Sequence, residues 1–164
     1  YNPYYNSVTE IGVNELKDYL KIVIHWRPLN EIILIKKNNN ILELEINPGD
    51  ITYKFRCNYN YISVISHLAE YPNLIRRLLT PDSFVNNFNI YSVKLYINGT
   101  LKDVVVDGLI PCFTNLQPLY TYSNSGKYTW AILIEKALAK VFKSYDKIRN
   151  KSVKLLYKML TGYS

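Results

Sequence analysis

The dipeptide Asn98-Gly99 sits between two β-rich runs, Tyr91 to Ile97 and Leu101 to Val106. Asn-Gly between such runs favours a type I′ turn, because both central residues then take positive φ, which these two tolerate. The turn sets which residues of the two runs face each other, and so which side chains share a face. An antiparallel hairpin over about 91–106 is the firmest local constraint on this chain.

Helical patterns lie on both sides of the hairpin. Ile62, Ile65, Leu68 and Ala69 recur at helical spacing and predict a buried helix from about Asn60 to Glu70, ended by Pro72. Asn73 to Leu79 reads as a second short helix, closed by Pro81-Asp82. After the loop Ser123-Asn124-Ser125-Gly126, Trp130, Leu133, Ile134, Ala137, Leu138 and Val141 form one apolar stripe. That period turns Glu135, Lys136 and Lys140 away from the stripe. Ser152 to Leu160 predicts a further amphipathic helix ending near Gly162. Upstream, Leu42, Leu44 and Ile46 alternate with Glu43 and Glu45 as in a half-buried strand, and Asn47-Pro48-Gly49-Asp50 stops it with turn chemistry. At 164 residues the chain suits one domain of ordinary size.

Composition narrows the class. An apolar share of 48% with 20% charged residues is that of a globular chain. No apolar run approaches the roughly 18–20 residues of a membrane span, so none is expected. The start, Tyr1-Asn2-Pro3, has neither signal-peptide features nor a Met, so a piece of a longer protein is expected. Cys57 and Cys112 form no disulfide framework and point to reduced thiols in an intracellular, cytoplasmic protein. The net charge of +7 crowds the C-terminal part, where Lys136, Lys140, Lys143, Lys147, Arg149, Lys151, Lys154 and Lys158 meet only Glu135 and Asp146. The plain reading is the solvated face of helices; phosphate or an acidic membrane surface is the functional alternative. No aromatic-and-basic pattern accompanies the charges, so no nucleic-acid partner is expected.

Asp50 to Glu70 reads DITYKFRCNYNYISVISHLAE. Without gaps, it resembles the segment that carries the nucleophilic cysteine in calpain-type proteases, Asp-Ile-x-Gln-Gly-x-Leu-Gly-Asp-Cys-Trp followed by an apolar helix. Several further stretches are similar in the same order. His25 to Ile32 resembles the Trp-x-Arg-Pro-x-Glu-Ile element, and Val104 to Pro111 the Val-x-Val-Asp-Asp-x-Leu-Pro run. WAILIEKALAK, Trp130 to Lys140, resembles the family's Phe-Trp-x-x-Leu-Leu-Glu-Lys-Ala-x-Ala-Lys helix, and Leu160-Thr161-Gly162 the Leu-Thr-Gly-Gly close of the first half of the core. The resemblance implies a papain-like α+β half-domain, mostly helical with a small antiparallel sheet or hairpin, with residues 1–24 as an N-terminal arm or linker and 25–164 as the first half of the protease core.

What it implies for chemistry is loss. The nucleophile position is Tyr59, the oxyanion-hole glutamine position is Tyr53, and Cys57-Asn58 and Asn60 replace the residues flanking the nucleophile. A neutral phenol, with its pKa of about 10, cannot stand in for a thiolate at a helix N-terminus. Cys57, two residues upstream, is the one substitute nucleophile, and a poor one. Cys112, His25 and His67 read as structural. The family's histidine and asparagine belong to the second half of the core, expected in the parent chain. Asp50 stands at a calcium-liganding position, but its acidic partner position is Tyr128; Glu43 and Glu45 could supply substitute charge. Calcium binding is thus expected to be weak or absent, with no other cofactor. The expected function is an inactive calpain-like domain with a structural, regulatory or protein-binding role, Tyr53, Tyr59 and Tyr61 lining a cleft for a protein or peptide partner. The alternative is part of an active calcium-dependent cysteine endopeptidase.

Overall fold

The computed structural model describes residues 25–32, 46–53, 58–79, 89–124 and 129–163. The arm expected over 1–24, the strand through Glu43 and Glu45, and the positions Cys57 and Tyr128 lie outside them. Along the chain run β1 (His25–Pro28), α1 (Leu29–Ile32), a 3-10 turn (Pro48–Asp50), β2 (Ile51–Tyr53), α2 (Tyr59–Ala69), α3 (Pro72–Leu78), β3 (Ile90–Ile97), β4 (Thr100–Asp107), β5 (Leu109–Cys112), β6 (Thr121–Ser123), α4 (Trp130–Phe142), α5 (Tyr145–Arg149) and α6 (Val153–Thr161). Helices with small antiparallel sheets make this an α+β fold.

The strands pair as three two-stranded antiparallel sheets, β1 with β5, β2 with β6 and β3 with β4. The expected hairpin is β3–β4. It pairs from Ile90 opposite Asp107 to Ile97 opposite Thr100, with Asn98 (φ 53°) and Gly99 (φ 78°) in the turn. Tyr91, Val93 and Leu95 from β3 and Val104 and Val106 from β4 enter the core, while Leu101 and Val105 stay exposed, as a period of two requires.

The expected helices form close to where their patterns place them, and several ends have an identifiable stop. Pro72 both ends the run after α2 and begins α3, where a missing N–H costs nothing. Ser144 and Ser152 cap α5 and α6, accepting from the amides of Asp146 and Leu155 at 3.2 Å each. Gly162, at φ 80°, closes α6, and its Cα lies against the Tyr96 ring: a Cβ there would sit 2.8 Å from ring carbons.

Two positions in α4 depart from the expected pattern. Glu135 and Lys136, expected off the apolar stripe, are 1% and 0% exposed. The reason is coverage: β3, β4, β6 and α5 all pack on α4, so every residue from Trp130 to Ala139 is buried and the helix reaches water only from Lys140 onward. The Lys136 ammonium bonds the Asp107 carboxylate at 2.5 Å and the Leu109 carbonyl, and lies 5.6 Å from the centre of the Trp26 ring. Burial lowers its pKa, and Asp107 opposes the shift. One cation thereby ties α4 to the β4–β5 corner and to β1.

The corner itself is tight. Gly108 donates to the Asn89 carbonyl at 2.8 Å, and its own carbonyl accepts from Leu29 N–H at 2.8 Å. A Cβ at Gly108 would lie 1.9 Å from Asn89 Oδ1 and 2.6 Å from the Tyr91 ring. Asn89 takes a positive φ of 53° to reach this place.

Helices α2 and α6 run side by side. Asn60 Nδ2 donates to the Lys151 carbonyl at 2.8 Å, and the His67 ring centre is 6.2 Å from that of Tyr157. Both contacts advance along both helices together, so the two are parallel and begin at the same end.

Candidate functional site

The site is built at the start of α2. Tyr59 is the first residue of that helix and is 67% exposed. Behind it the frame is buried and polar. Asn58, in the N-cap position, gives its side chain to Glu135 rather than to the helix: Nδ2 donates to Oε1 at 2.7 Å. The other carboxylate oxygen of Glu135 accepts from Thr121 N–H at 3.0 Å. The Thr121 hydroxyl, also buried, lies close to this carboxylate without reaching hydrogen-bond geometry. Glu135 thus joins α4, the entry to α2, and β6 at one point. Burial pushes its carboxyl up to about 7, against the pull of the donors from Asn58 and Thr121.

Tyr61 is the second anchor. It is fully buried and its hydroxyl donates to the Ala131 carbonyl at 2.6 Å, with a phenol pKa raised by burial and then by the Glu135 charge. The expectation that Tyr61 lines a cleft is therefore corrected: at the third position of α2 it points into the core, two residues and about 200° around the helix from Tyr59. Tyr53 is the last residue of β2, opposite Thr121.

Asp50 closes the 3-10 turn, where its half-buried carboxylate accepts from the Ser123 hydroxyl and its carbonyl from Asn124 N–H at 2.8 Å. These bonds dock the turn on the end of β6. Asn47 Oδ1 starts the same turn by accepting from Gly49 N–H at 2.9 Å. Among the described residues no group of three His, Cys, Asp or Glu side chains converges as a metal site would need.

The remaining candidates lie apart from Tyr59. Cys112 is buried in β5 opposite His25, and burial pushes its thiol up to about 12, with Arg27 opposing and Glu31 adding. Such a thiol is a packing group. His67 packs edge-on against Tyr71 at 5.9 Å and beside Tyr157.

Comparison with known proteins places this arrangement. The sequence matches the family described as calpain family cysteine protease over residues 4–164. The chain belongs to the calpain family. A calpain-type cysteine protease of Arabidopsis thaliana is 27% identical over 148 residues, 87% of this chain and 7% of that protein. A calpain of Caenorhabditis elegans is 31% identical over 103 residues, 62% of this chain and 13% of its own length. Human calpain-7 is 41% identical over 56 residues, 34% of this chain and 7% of its own. The chain thus spans a small part of the curated calpains it matches. The calpain resemblance located Tyr59, Tyr53, Asp50 and Asn58, but not the role of Glu135 as the acceptor for Asn58 and Thr121. One signal was available: a helix reading WAILIEKALAKVF is too apolar to keep a polar face at 135 and 136.

Proposed function

We propose that this calpain-family chain is a papain-like half-domain that no longer cleaves peptide bonds and serves its parent protein as a structural, regulatory or protein-binding module. The observation that carries the reading is Tyr59, an exposed phenol at the first residue of α2, where the family pattern puts the thiol. Behind Tyr59 the start of α2 is held by Asn58 on Glu135 and by Tyr61 on the Ala131 carbonyl. Calcium is expected to bind weakly or not at all, because the Asp50 carboxylate already serves Ser123 and Tyr128 stands where a second acid belongs. No helix of the described residues is long and apolar enough to cross a membrane. We place the protein in the cytoplasm, where the reduced, buried Cys112 is at home, and assign residues 1–24 to an arm or linker.

Family membership favours one rival, half of a calcium-dependent cysteine endopeptidase using Cys57. A thiol-directed epoxide applied to the full-length protein, with and without calcium, separates the two. No labelling at Cys57 and no cleavage of casein is expected. Calcium-dependent labelling there would sink the inactive reading. A Tyr59→Cys variant is expected to gain an alkylatable thiol without proteolysis, since Tyr53 and Asn60 still replace the supporting groups.

A further inference from the structure

Strand β4 has a neighbour on one side. It pairs with β3, and among the described residues no strand lies along its other edge. The two-residue turn fixes which groups that edge presents. Thr100, Lys102, Val104 and Val106 turn their N–H and C=O to β3, while Leu101, Asp103 and Val105 turn theirs outward. Two bonds agree with this alternation. Gly108, the next even position, donates to the Asn89 carbonyl on the β3 side, and the Val105 carbonyl accepts from outside the sheet, from the Lys140 ammonium. On the outer face Leu101 and Val105 are 47% and 48% exposed, with Asp103, also exposed, between them. Tyr96 stands opposite Leu101, and Ile90, an exposed residue, is diagonal to Val105. Apolar groups therefore flank one carboxylate in register along an open edge.

Such an edge is a template for another strand. A second copy of the chain is a poor occupant. Antiparallel self-pairing centred on Asp103 sets that carboxylate against itself, and centring it on Lys102 sets two ammonium groups together. Centring on Val104 puts both charges opposite valines. Lys94 faces Asp103 across the hairpin, but among the described residues no ion pair joins them, and the carboxylate accepts from the Ser92 hydroxyl at 3.4 Å. The charges on this edge are thus open to an opposite set. We infer that β4 takes an extended segment of a partner protein as an added antiparallel strand. That segment carries a cation opposite Asp103, an acid opposite Lys102 and apolar side chains opposite Leu101 and Val105. The outward N–H and C=O groups of Leu101, Asp103 and Val105 hold it, and the Lys140 ammonium gives up the Val105 carbonyl to an N–H of the segment. The inference rests on the protein-binding role proposed above and does not require that catalysis be lost.

The test is a titration of the full-length protein with two labelled peptides of one composition and charge, built around Val-Thr-Lys-Glu-Val and Val-Thr-Glu-Lys-Val. In the antiparallel register the first sets lysine on Asp103 and glutamate on Lys102, and the second sets like charges together. Binding of the first is expected, with the second about tenfold weaker. The Lys102→Asp/Asp103→Lys variant keeps the net charge and is expected to reverse the preference. Both side chains are exposed, and exchange of the α4 amides verifies that the variant keeps its fold; the comparison of the two peptides on the unaltered protein needs no variant. Bound peptide should slow hydrogen exchange at the amides of Leu101, Asp103 and Val105, and leave those of Lys102 and Val104, already bonded to β3, as they were. Equal affinity for the two peptides, an unreversed preference, protection confined to other amides or no binding would each overturn the inference. So would a dimer that forms through β4 without peptide. Thiol labelling of the same preparation reports on catalysis separately: labelling with peptide binding retained sinks the inactive reading and leaves the β4 surface standing.

Discussion

Replacing Glu135 by glutamine separates charge from shape at the one buried carboxylate behind the α2 start. Because its folded pKa is about 7 against an ordinary 4.5, the folded state holds a proton between these values that the unfolded chain releases. Stability therefore falls as pH rises through this window, and the loss is complete above 7. At about 1.4 kcal/mol per pH unit the loss comes to about 3 kcal/mol. Glutamine cannot ionise, so this pH dependence disappears. It can still accept from Asn58 or from Thr121 N–H, but its amide nitrogen faces the other donor, at a cost of about 1–3 kcal/mol. The two proteins should cross: wild type more stable at pH 5, and Glu135→Gln equal or better at pH 8. The assay is hydrogen exchange of the α4 amides in the full-length protein at four pH values, corrected for intrinsic exchange rates. Tyr61, the titratable neighbour named by this geometry, stays neutral throughout, since burial and Glu135 both raise its pKa. Parallel pH profiles for the two proteins would refute the reasoning.

Gly162→Ala combines backbone strain at φ 80° with a 2.8 Å contact on the Tyr96 ring, whereas Gly99→Ala meets nothing within 4 Å at φ 78°. Chemical denaturation should show about 1 kcal/mol lost at position 99 and clearly more at 162, and Tyr96→Ala should recover the excess. Lys136→Ala empties a buried site and takes the ammonium from the Leu109 carbonyl and from Asp107, which keeps the Leu109 N–H. About 3 kcal/mol of destabilisation is expected, with exchange rising first in β5 and β1. Lys140→Ala, one turn on at the surface, should stay within about 1 kcal/mol by the same measure.

What the sequence made legible was local. Asn98-Gly99 specified the hairpin because turn chemistry and strand alternation are read within a dozen residues, and α2 and α6 fell within one residue of their patterns. The pairings of β1 with β5 and of β2 with β6 were not legible, since short strands carry no mark of a partner some 70 to 85 residues away. Glu135 shows the same limit at the site. Its role depends on Asn58, 77 positions distant, and on a backbone amide of β6, neither of which helical periodicity can see. Tyr59 was found through family likeness alone; composition marks it as one tyrosine among sixteen.

The packing at Gly108 bears on history. The calpain-like run carries aspartate at this position, yet here even a bare Cβ would strike Asn89 and Tyr91. Placing that aspartate here by one substitution would therefore disrupt the β4–β5 corner. Asn89 would have to change first, and while Gly108 remains, that change would only loosen the loop. Such an order of steps works as a ratchet: while Asn89 and Tyr91 pack as they do here, sterics at this corner hold position 108 to glycine.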